Sequence, residues 1–243
     1  MEVRRGRGAR TLLGDRRVST AVRARARRLT LRTSILVPCI GKHAHLLPEL
    51  IANIDRQVVA PDEVIIAISD ARSAQVPQLR SARSYKLVIL ADSAPAYAGK
   101  NRNRAADQST GDLLIYQDAD DIPHPQRVAV AREVCERFDV QHLMHTYEHH
   151  RVPASFATWL AKRFPPEHAA ASALYERYTY THQFTNGNII TTRGIFRRVR
   201  WPESLARGQD VAYNKAVALA FPKTMARISV PLLGYRQYLS SAR

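Results

Sequence analysis

Cysteine is nearly absent from this sequence: Cys39 and Cys135 are its only two thiols in 243 residues, and each sits among apolar neighbours. Two cysteines build neither a disulfide framework nor a four-cysteine zinc site, so both routes to a stable fold are excluded. Long apolar runs are missing too. The longest, Ala216–Phe221, falls far short of the ~20 residues that span a bilayer, and the first residues lack the apolar stretch of a signal peptide. The chain therefore reads as soluble and cytoplasmic. Acidic residues are scarce, 21 Asp and Glu against 37 Lys and Arg, for a net charge of +16. What is there is ordinary for a globular protein: 45% hydrophobic and 24% charged residues, enough to bury a substantial core and too apolar for wholesale disorder.

The positive charge is concentrated at one end. Residues 1–32 hold eleven Arg against Glu2 and Asp15, a net of +9, which leaves +7 for residues 33–243. Residues 1–17 mix Gly and Arg without hydrophobic period, whereas Val18, Val22, Ala26 and Leu29 recur at helical spacing with arginines between them. Two readings stand: a solvated arginine-rich leader, or a basic amphipathic helix in peripheral contact with an anionic membrane or polymer. Residues 33–243 show no helix-turn-helix, finger or RNP pattern, so no specific nucleic acid is expected as a partner.

From residue 33 the pattern alternates. The runs TSILVP (33–38), EVIIAI (63–68), KLVIL (86–90) and LLIYQ (113–117) have the short, continuous apolar character of buried parallel strands. Helical stretches separate them at His45–Gln57, near Val76–Arg83 and at Asn101–Ser109. Such alternation predicts an α/β fold with right-handed crossovers, and in that architecture ligands collect at the carboxyl ends of the strands.

Asp118-Ala119-Asp120-Asp121 directly follows the last run. Alternation lets Asp118 and Asp120 project to one side, and like charges that close call for a cation between them. A hard divalent ion sharing substrate phosphates meets that need; an acidic turn, with Asp121 capping a helix that begins near Pro125, fits the pattern equally well. Asp210 follows Gly208 and opens a helix predicted over Val211–Phe221, whose dipole favours the ionised carboxylate. His142, His145, His149 and His150 invite a metal, but Val140–His149 reads as a strand on which His142 faces away from His145 and His149. Surface or cleft-lining histidines are expected there. Trp159, Phe164, Tyr175, Tyr178 and Tyr180 suit either a sugar-packing face or a core.

Residues 101–125, NRNRAADQSTGDLLIYQDADDIPHP, resemble the central signature of family 2 glycosyltransferases of the GT-A fold, A-R-N-x-G-x-x-x-A-T-G-D, a strand, then D-A-D-D-x-x-x-P. Arg102, Asn103, Thr110, Gly111, Asp112, Asp118, Ala119, Asp120, Asp121 and Pro125 match without a gap. TSILVPCIGK, EVIIAISDARS, GNIITTRGIFRRVRWPES and GQDVAYN resemble further family segments, so the resemblance covers residues 33 to about 237 and leaves the leader out. It implies a Rossmann-like single domain over 33–243 with a mixed, mainly parallel sheet flanked by helices. It also implies a metal-dependent, inverting transferase of the hexosyltransferase type, moving a sugar from a nucleotide-diphosphate donor such as a UDP-sugar to an acceptor hydroxyl. By the same resemblance Asp118 and Asp120 hold Mn²⁺ or Mg²⁺ and Asp118 also contacts the donor. Pro38, Asp70, Arg102 and Asn103 belong to the donor site, as does the Asn186-Gly187-Asn188 turn through Gly187 and Asn188, and Asp210 is the general base.

Some positions depart from the family pattern. Cys39 and Ile40 replace Thr and an aromatic residue, Ser69 replaces the first acid of D-D-G-S, Ala105 replaces Gly, and Gln209 replaces the Glu of E-D. Tyr238 stands where the Y-R-x-H segment has His. The Q-x-x-R-W motif of processive synthases is missing, which favours single additions. The competing expectation is a basic polyanion-binding protein built on a catalytically silent transferase scaffold.

Overall fold

The computed structural model describes residues 31–72, 75–149, 153–164 and 188–236. The expected leader helix, His150, Tyr175, Tyr178, Tyr180, Asn186 and Gly187 lie outside the described residues. Strands β1 (Thr33–Ile40), β2 (Glu63–Ser69), β3 (Lys86–Ala91) and β4 (Leu113–Tyr116) coincide with the four apolar runs. Four more follow: β5 (Ile122–Pro123), β6 (His142–His149), β7 (Ile189–Thr192) and β8 (Met225–Tyr235). They make one mixed sheet in the order β3-β2-β1-β4-β7-β6-β8-β5, with β1, β2, β3 and β4 parallel and β7 antiparallel to both β4 and β6.

Strands β1, β2 and β4 are buried along almost their whole length because helices cover both faces, which is why they read as unbroken apolar runs, while β3 at the sheet edge is only partly covered. On one face Ile35, Val37, Val64, Ile66 and Ile115 pack with Leu50 and Ile54 of α1 (Leu47–Asp55) and with Ala131 and Val134 of α3 (Arg127–Phe138). On the other, Leu36, Ile65, Leu114 and Tyr116 meet Ala105 and Ala106 of α2 (Ala98–Gln108). Phe196 of α5 (Arg193–Arg198) and Tyr213 and Val217 of α6 (Gln209–Ala220) complete that layer. Each fully buried Ile, Leu or Val contributes roughly 1.5–3 kcal/mol, so these two layers supply the main drive to fold. The remaining helix, α4 (Pro153–Ala161), sets Trp159 and Phe156 against Ile122, and the Trp159 indole donates to Pro231 O at 2.9 Å.

Two helix expectations change. The stretch His45–Gln57 starts earlier, as a 3₁₀ turn over Gly41–Leu46 that runs into α1. No helix forms near Val76–Arg83. Pro77 lacks an N–H to donate, and Asp55 captures the segment by accepting from Ser81 Oγ at 2.6 Å, Ala82 N at 2.8 Å and Tyr85 Oη at 2.9 Å. Leu31 and Arg32 already belong to the sheet unit: Arg32 O accepts from Asp112 N and Leu113 N at 2.8 and 2.9 Å.

Candidate active site

The crossover after β1 runs to β2, whereas the one after β3 returns through α2 to β4 on the far side of β1. The carboxyl ends of β1 and β4 therefore part their loops, and a cleft of about 360 Å³ opens there. Pro38, Cys39 and Ile40 of β1 form its floor with the turn Asp118–Asp121. Tyr97, Asn101 and Arg102 from the start of α2 make one wall, and His43 and Tyr235 stand at its rim.

The three aspartates of the turn have different surroundings. Asp118 pairs with Arg102, Oδ1 to Nη2 at 2.7 Å. Arg102 is only 1% exposed, so it is no solvated helix arginine; its Nη1 donates to Gln209 Oε1 at 2.9 Å and its guanidinium lies 4.5 Å over the Trp201 ring. Asp120 lines the cleft, and burial together with the charge of Asp118 pushes its pKa up to about 6. Asp121 is buried and accepts Arg236 N–H at 3.1 Å, with its pKa raised well above the ordinary value by burial, Asp118 and Asp120. That contact replaces the expected cap: α3 begins at Arg127, after Gln126, with no side-chain cap.

The donor set bears directly on a metal. Among the described residues there is no cluster of three or more His, Cys, Asp or Glu able to hold an ion unaided. Asp118 and Asp120 offer two hard oxygen donors at the cleft, and the raised pKa of Asp120 marks a carboxylate short of positive charge. This set fits Mg²⁺ or Mn²⁺ sharing its remaining positions with substrate phosphates and water, and does not fit a closed protein cage.

Asp210 stands in the first turn of α6, entered through Gly208 at φ +69°, a left-handed conformation that glycine adopts without strain. The helix start does not hold this carboxylate at its ordinary pKa. Burial raises its pKa, and the N–H groups of Val211 and Asp210, with Arg102, only partly offset that rise. Because Arg102 holds both Asp118 and Gln209, the start of α6 is tied to the acidic turn.

Other expected residues are placed differently. Asp70 is exposed at the end of β2 with φ +50°, its N–H donating to Ala94 O, and it is not among the cleft-lining residues. Asn101 works at that end instead, donating from Nδ2 to Cys39 O and Ser69 Oγ, both at 2.8 Å. Asn103 also lies outside the lining. Its amide donates to Trp201 O at 3.0 Å and Glu203 Oε1 at 2.8 Å and accepts Trp201 N–H, which fastens α2 to the segment before α6. Asn188 is buried just ahead of β7, beside the Ile115↔Ile190 pair, and among the described residues its Oδ1 has no hydrogen-bond partner. Cys39 lines the cleft as an inert thiol, its pKa pushed up to about 12 by burial.

The histidines at the start of β6 are core groups, contrary to the surface or cleft expectation. His142 meets Asn214 Oδ1 at 2.8 Å on one side of the sheet; His145 accepts from Arg127 Nε at 3.1 Å on the other. Burial lowers the pKa of His142 to about 4 and takes His145 well below its ordinary range. Trp159 is core as well. Sequence reasoning missed His43, Tyr97 and Tyr235 as cleft walls. Tyr97, 51% exposed where a helix starts, is the one with a signal, since a large exposed aromatic at a strand-to-helix turn has little structural reason to be there.

Among the described residues no helix is long and apolar enough to cross a membrane. Solved structures share the fold. S. aureus TarS 1-349 in complex with UDP-GlcNAc matches with TM-score 0.62 at 14% identity, over 88% of this chain and 62% of that one. The same protein with UDP gives TM-score 0.60 at 15% identity, over 85% of this chain and 60% of that one. The mannosyltransferase PcManGT from Pyrobaculum calidifontis, in complex with GDP-Man and Mn²⁺, gives 0.54 at 16%, over 88% of this chain and 61% of that one. The chain thus spans 60–62% of the length of these proteins, and at such identities the likeness bears out the GT-A-type α/β fold. The model of glycosyl transferase family 2 matches residues 34–200, well over half of the sequence, and the chain belongs to that family.

Proposed function

We propose that the protein is a metal-dependent, inverting and non-processive glycosyltransferase of the hexosyltransferase type that takes its sugar from a nucleotide-diphosphate donor, a UDP-sugar, and adds it to an acceptor hydroxyl. The observation that carries this reading is Arg102, whose buried guanidinium joins Asp118 of the acidic turn to the start of α6, so that a diphosphate site and the carboxylate of Asp210 share one end of the sheet. The nucleotide sugars bound to TarS and PcManGT, and the Mn²⁺ in the latter, support the substrate class and the cation.

Asp118 and Asp120 would hold Mn²⁺ or Mg²⁺, whose charge offsets the charge that builds on the departing nucleoside diphosphate. Asp210 accepts the proton of the acceptor hydroxyl as the new C1–O bond forms on the face opposite the leaving group. The old C1–O bond breaks, and its electrons pass to the terminal phosphate oxygen. Burial makes Asp210 more basic than an exposed aspartate, which suits that task. Pro38 and Arg102 bound the donor end of the cleft, and the family resemblance assigns Gly187 and Asn188 to the donor sugar. Asp70 is left with a role at the nucleobase edge, and Asn103 with support of α2. Residues 1–32 provide the contact with an anionic membrane or polymer.

A screen of UDP- and GDP-sugars with Mn²⁺, reading release of the nucleoside diphosphate, tests the reaction. One donor should turn over, chelator should stop it, and Asp210→Asn should lower kcat by about 10²–10⁴ with an unchanged circular dichroism spectrum. Turnover that survives both chelator and Asp210→Asn contradicts the proposal.

A further inference from the structure

Beneath the acidic turn lies a buried polar network that the proposed reaction does not use. Gln117, the residue between β4 and the turn, is fully buried, and its N–H makes a last strand bond to Leu36 O at 3.0 Å. Its side-chain Nε2 donates to Asp118 O at 2.9 Å and to Asp121 O at 3.0 Å, so one amide spans both ends of the turn. The orientation is fixed, because Oε1 accepts from Arg127 Nη1 and a flipped amide would set that oxygen against two carbonyl oxygens. Arg127, 1% exposed on α3, also donates from Nη2 to Tyr116 O at 2.8 Å and from Nε to His145 Nε2 at 3.1 Å. His145 in turn meets Thr146 O through Nδ1 at 2.8 Å, which leaves Nε2 as the acceptor.

A buried guanidinium is expensive to desolvate, and replacing such a buried ionic network whole by apolar side chains of similar volume is often neutral or stabilising. Its location gives the reason to keep it. Arg102 reaches the turn from the α2 side of the cleft, and Arg127 sits beneath it on α3, so the two cations flank the aspartates. We propose that Gln117, oriented by Arg127, is a positioning residue that holds the Asp118–Asp121 turn so that the carboxylates of Asp118 and Asp120 converge on one cation. This inference rests on the reading of those two carboxylates as cation ligands.

The test uses the full chain and Mn²⁺ in the presence of UDP or GDP, with bound Mn²⁺ read from the loss of the free-ion electron paramagnetic resonance signal. Gln117→Leu removes both donors. Gln117→Glu keeps a partner for Arg127 but sets oxygen against the two carbonyls, and it decides the matter should Gln117→Leu not fold. The expected result is an apparent Mn²⁺ dissociation constant raised at least tenfold in each folded variant, with no further loss when Asp120→Asn is added to Gln117→Glu. Ser34→Ala, at the opposite end of the sheet, is the control: it should lower Tm without moving Mn²⁺ affinity. Wild-type affinity in Gln117→Glu, or an affinity loss in Ser34→Ala that tracks Tm equally, overturns the proposal alone. A wild-type protein that binds no Mn²⁺ with either nucleotide overturns the cation reading and the proposal with it.

Discussion

The two ends of the sheet treat their carboxylates in opposite ways. At the amino end, burial alone would raise the pKa of Glu63, yet it is lowered, because Oε1 accepts from Thr110 N, from Ser34 Oγ at 2.7 Å and from Gly111 N at 3.2 Å. Asp62 there accepts Thr33 N–H at 2.7 Å and pairs with Arg132 at 3.2 Å. At the carboxyl end Asp120, Asp121 and Asp210 all have raised pKa values, with burial the largest cause in each. At the amino end the chain's own donors outweigh burial at Glu63, whereas at the carboxyl end Asp118 has Arg102 but burial outweighs the chain's own donors at Asp120, Asp121 and Asp210. The signature segment 101–125 spans both. Its Thr-Gly-Asp part packs at the amino end, where a Cβ on Gly111 would run into Ser34 Oγ, and its aspartates face the cleft.

The largest effect that can break this division is on catalysis. Asp120→Asn should lower kcat/KM by about 10³, the scale of losing a cation or oxyanion contact made in the transition state. Glu63→Gln, the same chemical change at the other end, should leave kcat within about twofold, since no atom of Glu63 approaches the cleft. Steady-state kinetics with saturating Mn²⁺ checks both, and comparable losses in the two variants would erase the distinction.

How the two ends read in the sequence differs as well. The strands were legible because buried parallel strands are short runs of β-branched and aliphatic residues, and EVIIAI is buried throughout as β2. Asp118 and Asp120 were legible because a strand end is where such folds place chemistry. The partners of those residues were not, since they come from far along the chain. Arg102 was expected at the donor site, but its partners Trp201 and Gln209 could not be read from its own neighbourhood, and Gln117 looked unremarkable without Arg127 beneath it. Val76–Arg83 failed as a helix for a related reason: Asp55, more than twenty residues earlier, takes its polar groups. On β6 the surface expectation holds for the exposed His149 but fails for His142 and His145, because Asn214 and Arg127 supply them with buried partners.

Stability should show the same asymmetry with opposite signs and a smaller size. The carboxyl of Asp120 titrates near 3.8 in its ordinary environment and at about 6 in the fold. Between those values the folded state keeps a proton that the unfolded chain has released, so the destabilising contribution grows as pH rises through the window and is complete above it. With chelator at pH 7.5, Asp120→Asn should therefore stabilise the protein by about 2 kcal/mol, a gain that disappears below pH 4. Glu63 runs the other way. Its lowered pKa supplies stability above the ordinary carboxylate range that is lost as pH falls through the folded value, so Glu63→Gln should cost about 2 kcal/mol at pH 7.5. Urea denaturation across pH 4–8 measures both, and shifts of the same sign would refute the assignment of the two ends.

The smallest effect concerns Arg193, which ties the amino end together from the start of α5. It donates from Nε to Gly111 O at 2.7 Å, from Nη1 to Ala106 O at 3.3 Å and from Nη2 to Ser109 Oγ at 2.8 Å. Two of these groups lie where α2 ends, so the guanidinium adds a donor to the Ala106 carbonyl that Ser109 already caps and places positive charge at the negative end of the helix dipole. Lysine keeps the charge but is a single point donor and cannot serve three acceptors held in a fork. Arg193→Lys should then cost about 1 kcal/mol and lower Tm by roughly 2–4 °C for a domain of this size, with kcat unchanged. If kcat fell in proportion instead, the amino end would be setting the cleft geometry through α2, since Arg193 at the end of that helix and Arg102 near its start would move as one body.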